Sequence, residues 1–535
     1  MTKPPKPTIQ KEDPDVDSML NQVWGSIIGN DEPTSIFRYG NVAVRVNPLT
    51  GGIEVFTPPT FIPLVTRHVD WIDAKGNAAR PTERDINILP SNAIPEVPEL
   101  RGLIRVPGFA AGGHLVSTPG YDPRSGLYLT GTDARVEVPT KPSPSDVSRA
   151  KIWLLTFLIG HFPFADLASR ANALALVLLP FVRDMIDGPT PIHLVEKPQP
   201  RTGGTLLVKW ACAVGNGAEP TMIAAPGDDE EYRKLLLAHL IQGAGVLSID
   251  NIRVVRSPAL CAAVTARTFE GRVLGKTKMV SVPVRCVFVM SGNNPVLSDE
   301  VAKRCIAIRL DARHPDPERR PGIVGQVWDA DGRVRGHLNQ TWDFHPIESL
   351  RGAARRNLVW SALVLCQNWI AAGQPLGRAV PKKGGFEEYT RVMGSLLAHN
   401  DILGFLENQA TFEVRSNPEA AEEGEFISEW WLRTKGAEKQ TREIAKWASG
   451  TLLSLLVNLE GRPLDTKVGQ ILTSWEGREF HLPDGAGRVK VTKLAKLHGR
   501  QLWALTRVGK PEARPAARTA APGAQVHPGE EEFPC

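Results

Sequence analysis

Paired cysteines are missing from this 535-residue chain: Cys212, Cys261, Cys286, Cys305, Cys366 and Cys535 are scattered, with no CxxC and no Cys/His spacing. That argues against a zinc ribbon and against a disulfide framework, and makes reduced thiols and a cytoplasmic location the expectation. Long hydrophobic runs are missing too. The longest, ANALALVLLPFV, is too short to span a bilayer and is flanked by Arg170 and Arg183, so it reads as a buried core helix and no membrane partner is expected. The N-terminus, MTKPPKPTIQKEDPDVDS, is polar and Pro-rich and does not read as a signal peptide. Charge of one sign is scarce: a net +5, with 42% hydrophobic and 23% charged residues, is an ordinary globular balance and does not by itself imply nucleic acid. There are no internal repeats.

The most telling absence is a single lysine. From Leu194 the chain reads LVEKPQPRTGGTLLVKW, an apolar strand, a Pro/Gly turn and then Thr205 opening an apolar helix. A phosphate-binding loop, GxxxxGK[ST], cradles phosphates on backbone N–H groups, bridges the outer two with Lys and holds Mg²⁺ through Ser or Thr. Gly203 and Thr205 fall in register with that pattern, whereas Pro198 takes the first Gly position and Gly204 the Lys position. The loop amides and the helix N-terminus still attract an anion. What is lost is a point charge on the β- and γ-phosphates. Lys197 at the start of the loop ranks first as its replacement, Arg201 inside the loop second; Lys209, one turn beyond Thr205, points along the helix and away. The competing reading makes all three solvated surface charges and the loop only a turn.

Three further strands bear on that choice. GVLSIDN, Gly245 to Asn251, is a short apolar run ending in an acid, the pattern of a buried parallel strand that delivers a carboxylate. Asp250 is the candidate for organising Mg²⁺. Asn251 follows it, and an amide positions water but accepts no proton, so a base must come from elsewhere. Glu230 or Glu231, in the acidic run Asp228-Asp229-Glu230-Glu231 that opens the helix between the loop and this strand, is the candidate, against a structural reading in which Asp228 caps the helix and the acids complement its dipole. VRCVFVMSGNNP ends in polar residues, Asn293 foremost, with turn chemistry as the alternative. SDEVAKRCIAIRL then carries Lys303-Arg304 into another apolar strand. Between these, GRVLGKTKMVSVPV alternates about Gly275 as a β-hairpin with Lys276 and Lys278 near its tip. Basic groups at such a tip suit the backbone of single-stranded DNA; an edge kept soluble by lysines is the alternative. The alternation of strands and helices points to a nucleotide-binding α/β core using ATP and Mg²⁺.

The order of loop, acidic strand end, basic hairpin, Ser-x-Asn strand end and Arg resembles a superfamily 3 helicase core of the AAA+ class. More closely, the chain resembles the helicase-like ATPase module of bacterial phage- and mobile-element primase–helicase proteins, from about Ile36 to Val508. The stretches that carry this are RGLIRVPGFAAGGHLVSTPGYDPRSGLYL, DLASRANALALVLLPFVR, the loop above, DDEEYRKLLLAHL, TARTFEGRVLGKTKMVSVPVRCVFVMSGNN and KRCIAIRLDA. The resemblance implies a homo-oligomeric ring, a hexamer, acting on DNA in replication, with a separate primase as a further partner. It gives Asn293 the γ-phosphate sensor role, Arg304 the role of an arginine finger reaching a neighbouring subunit, and the hairpin a place in the ring channel. Relatives commonly carry Gly-Lys-Thr where this chain has Gly203-Gly204-Thr205, a departure that bears on hydrolysis rather than on nucleotide binding. Two functions therefore stand: an ATP-dependent helicase or translocase, and a nucleotide-binding but hydrolysis-deficient DNA scaffold or replication initiator.

The expected architecture is α/β: an AAA+-like P-loop core with a small mixed α+β N-terminal domain, a helical lid and a C-terminal winged helix. Residues 1–32 read as a disordered arm, 33–144 as the small domain, 145–315 as the core with its leading helices, 316–424 as the lid, 425–508 as the winged helix and 509–535 as a disordered tail. Within 425–508, DTKVGQILTSW, capped by Asp465 or Thr466, is the recognition-helix candidate. Arg488, Lys490, Lys493, Lys496 and Arg500 form a basic wing suited to double-stranded DNA; protein interaction is the alternative use. Arg391 in the lid reads as a second sensor or, more simply, as half of a surface salt bridge.

Overall fold

Five parallel strands form the centre of the first of two compact units, Met1–Ser416 and Asn417–Cys535, in this computed structural model. The structure describes residues 6–29, 36–47, 50–89, 97–131, 136–272, 279–317, 324–328, 334–339, 346–452, 456, 461, 463–482 and 487–508. In chain order the central elements are α1 (Leu167–Val182), β1 (Ile192–Lys197), α2 (Gly204–Asn216), β2 (Met222–Ala224), α3 (Asp229–Ile241) and β3 (Val246–Val255). Next come α4 (Pro258–Thr265), a hairpin of β4 (Thr268–Arg272) and β5 (Met279–Pro283), β6 (Val287–Leu297), α5 (Asp299–Lys303) and β7 (Cys305–Arg309). Helices α6 (Gly352–Ala371), α7 (Glu387–His399) and α8 (Gln409–Ser416) close the unit.

The sheet order is β2-β3-β6-β1-β7. Every residue of β1, IHLVEK, is buried, as a strand covered on both faces must be. Helix α1 is buried on nearly every face, with Leu174 to Leu179 at 0% exposure, because it is sandwiched in the core rather than laid on a surface; Asp166 caps it by accepting from the Ser169 N–H at 2.6 Å. From β1 the chain leaves for the far edge at β2, works back through β3 and β6, then crosses to β7. Ligands of open parallel sheets bind outside the strands' C-terminal ends where the order reverses, which is where the loop after β1 lies.

Three expectations need correcting. Residues 1–32 are not wholly an arm: within them Val16–Ile28 is a helix and Thr8–Gln10 a strand. Met19, Leu20, Val23, Trp24 and Ile27 share one face of that helix and pack into a local core, with Trp24 and Phe61 rings 5.7 Å apart. The strands bearing Asp250 and Asn293 do not end at those residues. β3 and β6 run on to Val255 and Leu297, and Val254 pairs with Val296. Asn251 (φ 55°) and Asn294 (φ 39°) take left-handed conformations in the two strands, and on β3 the pairing register shifts around Asn251, between Ile249 and Ile252. The segment expected as a helical lid also contains a hairpin, Val324–Trp328 with Val334–Asn339. Arms β4 and β5 pair antiparallel with Glu270 opposite Ser281; Lys276 and Lys278 lie outside the described residues, as does the tail 509–535.

The second unit begins at Asn417, so the expected start at 425 falls inside α9 (Pro418–Thr434), whose Asn417 side chain caps Ala420. It continues with β8 (Lys439–Gln440), α10 (Thr441–Thr451), α11 (Leu464–Ser474), β9 (Glu479–His481), β10 (Arg488–Lys493) and β11 (Leu502–Val508). The strands form an antiparallel sheet, β8-β11-β10-β9, around Trp430, Trp475 and Trp503. Asp465 and Thr466 are not caps: Pro463 precedes the helix and both lie in its first turn. Among the described residues no helix is long and apolar enough to cross a membrane.

Candidate functional site

The turn from β1 into α2 is built on two left-handed residues, Arg201 (φ 64°) and Gly203 (φ 101°). Buried Thr202 ties the turn together by donating from Oγ1 to the Gln199 carbonyl at 2.8 Å. Helix α2 starts directly after Gly203, whose carbonyl accepts from Leu207 N–H at 2.9 Å. Its first-turn N–H groups have no partner within the helix.

The space that a side chain on Gly204 would fill is taken. A Cβ at that position would stand 2.9 Å from Nζ and 3.0 Å from Cδ of Lys197. Lys197 ends β1 with 8% of its surface exposed, and among the described residues its Nζ makes no hydrogen bond or ion pair. Burial pulls its pKa below the ordinary lysine value, and the Asp250 carboxylate pulls the other way. The missing charge of the loop is thus physically back over the loop, delivered from the preceding strand. Lys209, by contrast, pairs with Glu219 at 3.3 Å, and Arg201 is exposed in the turn.

Asp250 is the hub of the next layer. Thr205 Oγ1 donates to its two oxygens at 3.3 and 3.2 Å, Asn251 N–H donates at 2.8 Å, and Ser291 Oγ donates to Oδ1. In an octahedron with Mg–O bonds of about 2.0–2.1 Å the edge is about 2.9 Å, so a hydroxyl and a carboxylate this close fit adjacent positions around one Mg²⁺. Asn293 stands opposite Lys197 in the β1–β6 register and is exposed.

Behind Lys197, on the other side of the strand, Glu196 is 2% exposed and pairs with Arg415 of α8 and, at 3.7 Å, with Arg309 of β7. Arg309 also donates to Asn294 Oδ1 at 3.2 Å. Sequence reasoning missed Ser291, Glu196, Arg309 and Arg415 as site neighbours. A glutamate inside a fully buried strand was a usable signal for Glu196; Arg415, more than 200 residues away in sequence, carried none.

Other candidates lie apart. Glu231 gives its carboxylate to Lys234 at 2.9 Å while its N–H is capped by Asp228, and Glu230 faces the same lysine at 3.7 Å. Asp229 accepts from Ser257 Oγ and Ala259 N–H. No carboxylate of that run is joined to the Asp250 cluster among the described residues. Arg304 ends α5, donating to its own Glu300 carbonyl at 2.7 Å, with its Nε buried and without an acceptor. Arg391 pairs with Glu388. In the second unit Arg488 pairs with Glu479 at 3.0 Å, and Lys493 reaches Glu476 at 3.8 Å while lying over the Trp503 ring. Lys490 and Lys496 are exposed and make no ion pair among the described residues.

No family model and no curated protein matches this chain. Among solved structures, the A form apo structure of the NrS-1 C-terminal region, residues 305–718, is similar at 10% identity, covering 90% of this chain and 99% of that one with a TM-score of 0.38. A likeness of that size carries no weight, and the functional reading stands on the site's own geometry.

Proposed function

We propose that this chain is an AAA+-like ATPase module of the superfamily 3 type, working as a ring-forming ATP-dependent DNA helicase or translocase in replication of a phage or mobile element. The observation that carries the reading is Lys197 Nζ lying where a side chain of Gly204 would be. Among the described residues Lys197 makes no hydrogen bond or ion pair, and an ammonium buried over a phosphate-type turn is a charge that a triphosphate would satisfy. In this reading the turn amides and the α2 N-terminus receive the inner phosphates, Lys197 the outer two, and Thr205 and Asp250 hold Mg²⁺. Bound there, Mg²⁺ would supply positive charge to offset that of the phosphates. Ser291 keeps the Asp250 carboxylate oriented, Asn293 reads the γ-phosphate, and Arg304 serves a neighbouring subunit. The hairpin lysines Lys276 and Lys278 follow single-stranded DNA in the ring. Among the described residues, three helices on a small antiparallel sheet support a winged-helix reading of the second unit, with Lys490 and Lys496 as its available duplex contacts.

One observation favours a second reading, nucleotide binding without turnover. Asn251 occupies the position next to Asp250, its left-handed backbone suits Asn far better than Glu, and no other carboxylate of the acidic run is joined to Asp250. Phosphate release separates the two. We expect DNA-stimulated turnover in wild type, its loss in Lys197→Ala, and partial rescue in Lys197→Ala/Gly204→Lys, because the second change returns an ammonium from the opposite side of the same space. If wild type binds Mg²⁺-ATP but releases no phosphate with or without single-stranded DNA, the scaffold reading replaces the motor. If calorimetry finds no binding at millimolar nucleotide, both readings fail.

A further inference from the structure

A second group of cations lies at the other end of the sheet. A cavity of about 40 Å³ sits where β3 and β6 begin and α1 and α2 end, lined by Arg105, Arg183, Asp184, Asn216 and Arg285 among others. Arg183 is 5% exposed; its Nη1 and Nη2 donate to the carbonyls of Ile186 and Val284 at 3.2 Å each, and its Nε has no acceptor. Arg285 pairs with Asp184, and its Nε too is buried without an acceptor. Carbonyls satisfy donors without balancing charge. Among the described residues that line the cavity, Asp184 is the single acid against three arginines. Helix ends at α1 and α2 add only partial negative charge, about half a unit each.

Burial is felt by both buried arginines, and Arg285 feels its arginine neighbours as well. Burial lowers the pKa of Arg183 to about 10, and burial together with Arg183 and Arg101 holds Arg285 well below the usual arginine range. Like charges in a poorly solvated place are costly until a counter-charge joins them. We propose that this cavity is a second anion site, which takes a small tetrahedral oxyanion of the phosphate class between Arg105, Arg183 and Arg285. A water needs about 10–15 Å³ of such space, so the cavity admits a group of a few heavy atoms and excludes a base or a sugar. The bound anion fastens the strand Gly102–Ile104 and the bend after it to the ends of α1 and α2 and to the start of β6. It shares no residue with the loop at Lys197 and lies at the opposite end of the strands, so the two sites fail separately.

The test is thermal unfolding of the full chain at fixed ionic strength, with inorganic phosphate replacing chloride. At phosphate about tenfold above its dissociation constant the midpoint should rise by about 2 °C. Lys197→Ala should keep that rise. Arg105→Ala and Arg285→Gln should lose it; Arg105 is exposed, so its variant decides the matter if Arg285→Gln does not fold. The proposal is overturned if wild type shows no rise, if Arg105→Ala keeps it, or if Lys197→Ala loses it, since the last result assigns the phosphate to the nucleotide loop.

Discussion

Lys197 shows how a charge absent from its usual register can be present in space. A strand-end side chain alternates faces with its neighbour, so Glu196 turns to Arg309 and Arg415 while Lys197 crosses the loop to Gly204. A Cβ at 204 would stand 2.9 Å from the ammonium, so a side chain there has to displace the flexible end of Lys197. Burial has a consequence for pH. The folded state binds the Lys197 proton more weakly than the unfolded chain does, so between its lowered pKa and the ordinary lysine value near 10.4 this group's contribution to stability rises with pH. Nucleotide reverses the sign, since a phosphate beside the ammonium favours its protonated form. Mg²⁺-ATP affinity should therefore fall in wild type as the pH is raised toward the ordinary lysine value. Lys197→Arg, whose guanidinium does not titrate there, should hold its affinity to higher pH. Superimposable profiles would remove Lys197 from the phosphates.

At the scale of elements, the site depends on two strands that do not stop where they deliver their side chains. β3 and β6 continue past Asp250 and Asn293 and stay paired up to Val255 and Leu297. Gly292 sits at the closest approach: a Cβ there would be 2.5 Å from the Ile252 carbonyl oxygen and 2.7 Å from Ile252 Cγ1. Gly292→Ala should accordingly cost roughly 1–3 kcal/mol in urea unfolding and weaken Mg²⁺-ATP binding, because pushing the strands apart loosens Ser291 from Asp250. Gly25→Ala, in a helix position with nothing within 4 Å, is the control and should be neutral or mildly stabilising. An unchanged Gly292→Ala would mean the strands yield freely. The same strands mark what a sequence can express. The apolar runs of α1, β1 and β3 were legible because a period and an acid at the end of a run are local facts. The continuation after Asp250 was not, since IRVV reads equally well as a new segment. Lys197 was legible because four bonds of side chain suffice to bring it back over its own loop. Arg415 was not, because only tertiary packing brings α8 to β1. The helix Val16–Ile28 was not read, because the polar, Pro-rich residues before it dominate the segment.

For the whole molecule, the placement of Arg304 decides what kind of assembly the proposed motor needs. Its carbonyl accepts from the Ile192 N–H at the start of β1, whereas Lys197 ends that strand. Five residues of strand separate them, about 17 Å, so Arg304 stands at the wrong end of the sheet to touch its own subunit's nucleotide. Any contact it makes with a γ-phosphate has to be on a neighbour, which requires a head-to-tail interface, the kind that closes into the proposed ring. Arg304→Ala and Asp250→Ala should each abolish DNA-stimulated ATPase activity for different reasons, one by removing the trans charge and the other by removing the metal ligand. In an equimolar mixture, an interface with an intact Asp250 on one side and an intact Arg304 on the other arises in about a quarter of cases under random assembly. We therefore expect activity to return to about that fraction of wild type when the two variants are mixed before adding ATP and single-stranded DNA. If mixing restores nothing while light scattering still reports a ring, Arg304 is a structural cap of α5. If wild type stays monomeric under ATP and DNA, the ring itself is excluded, and with it the motor.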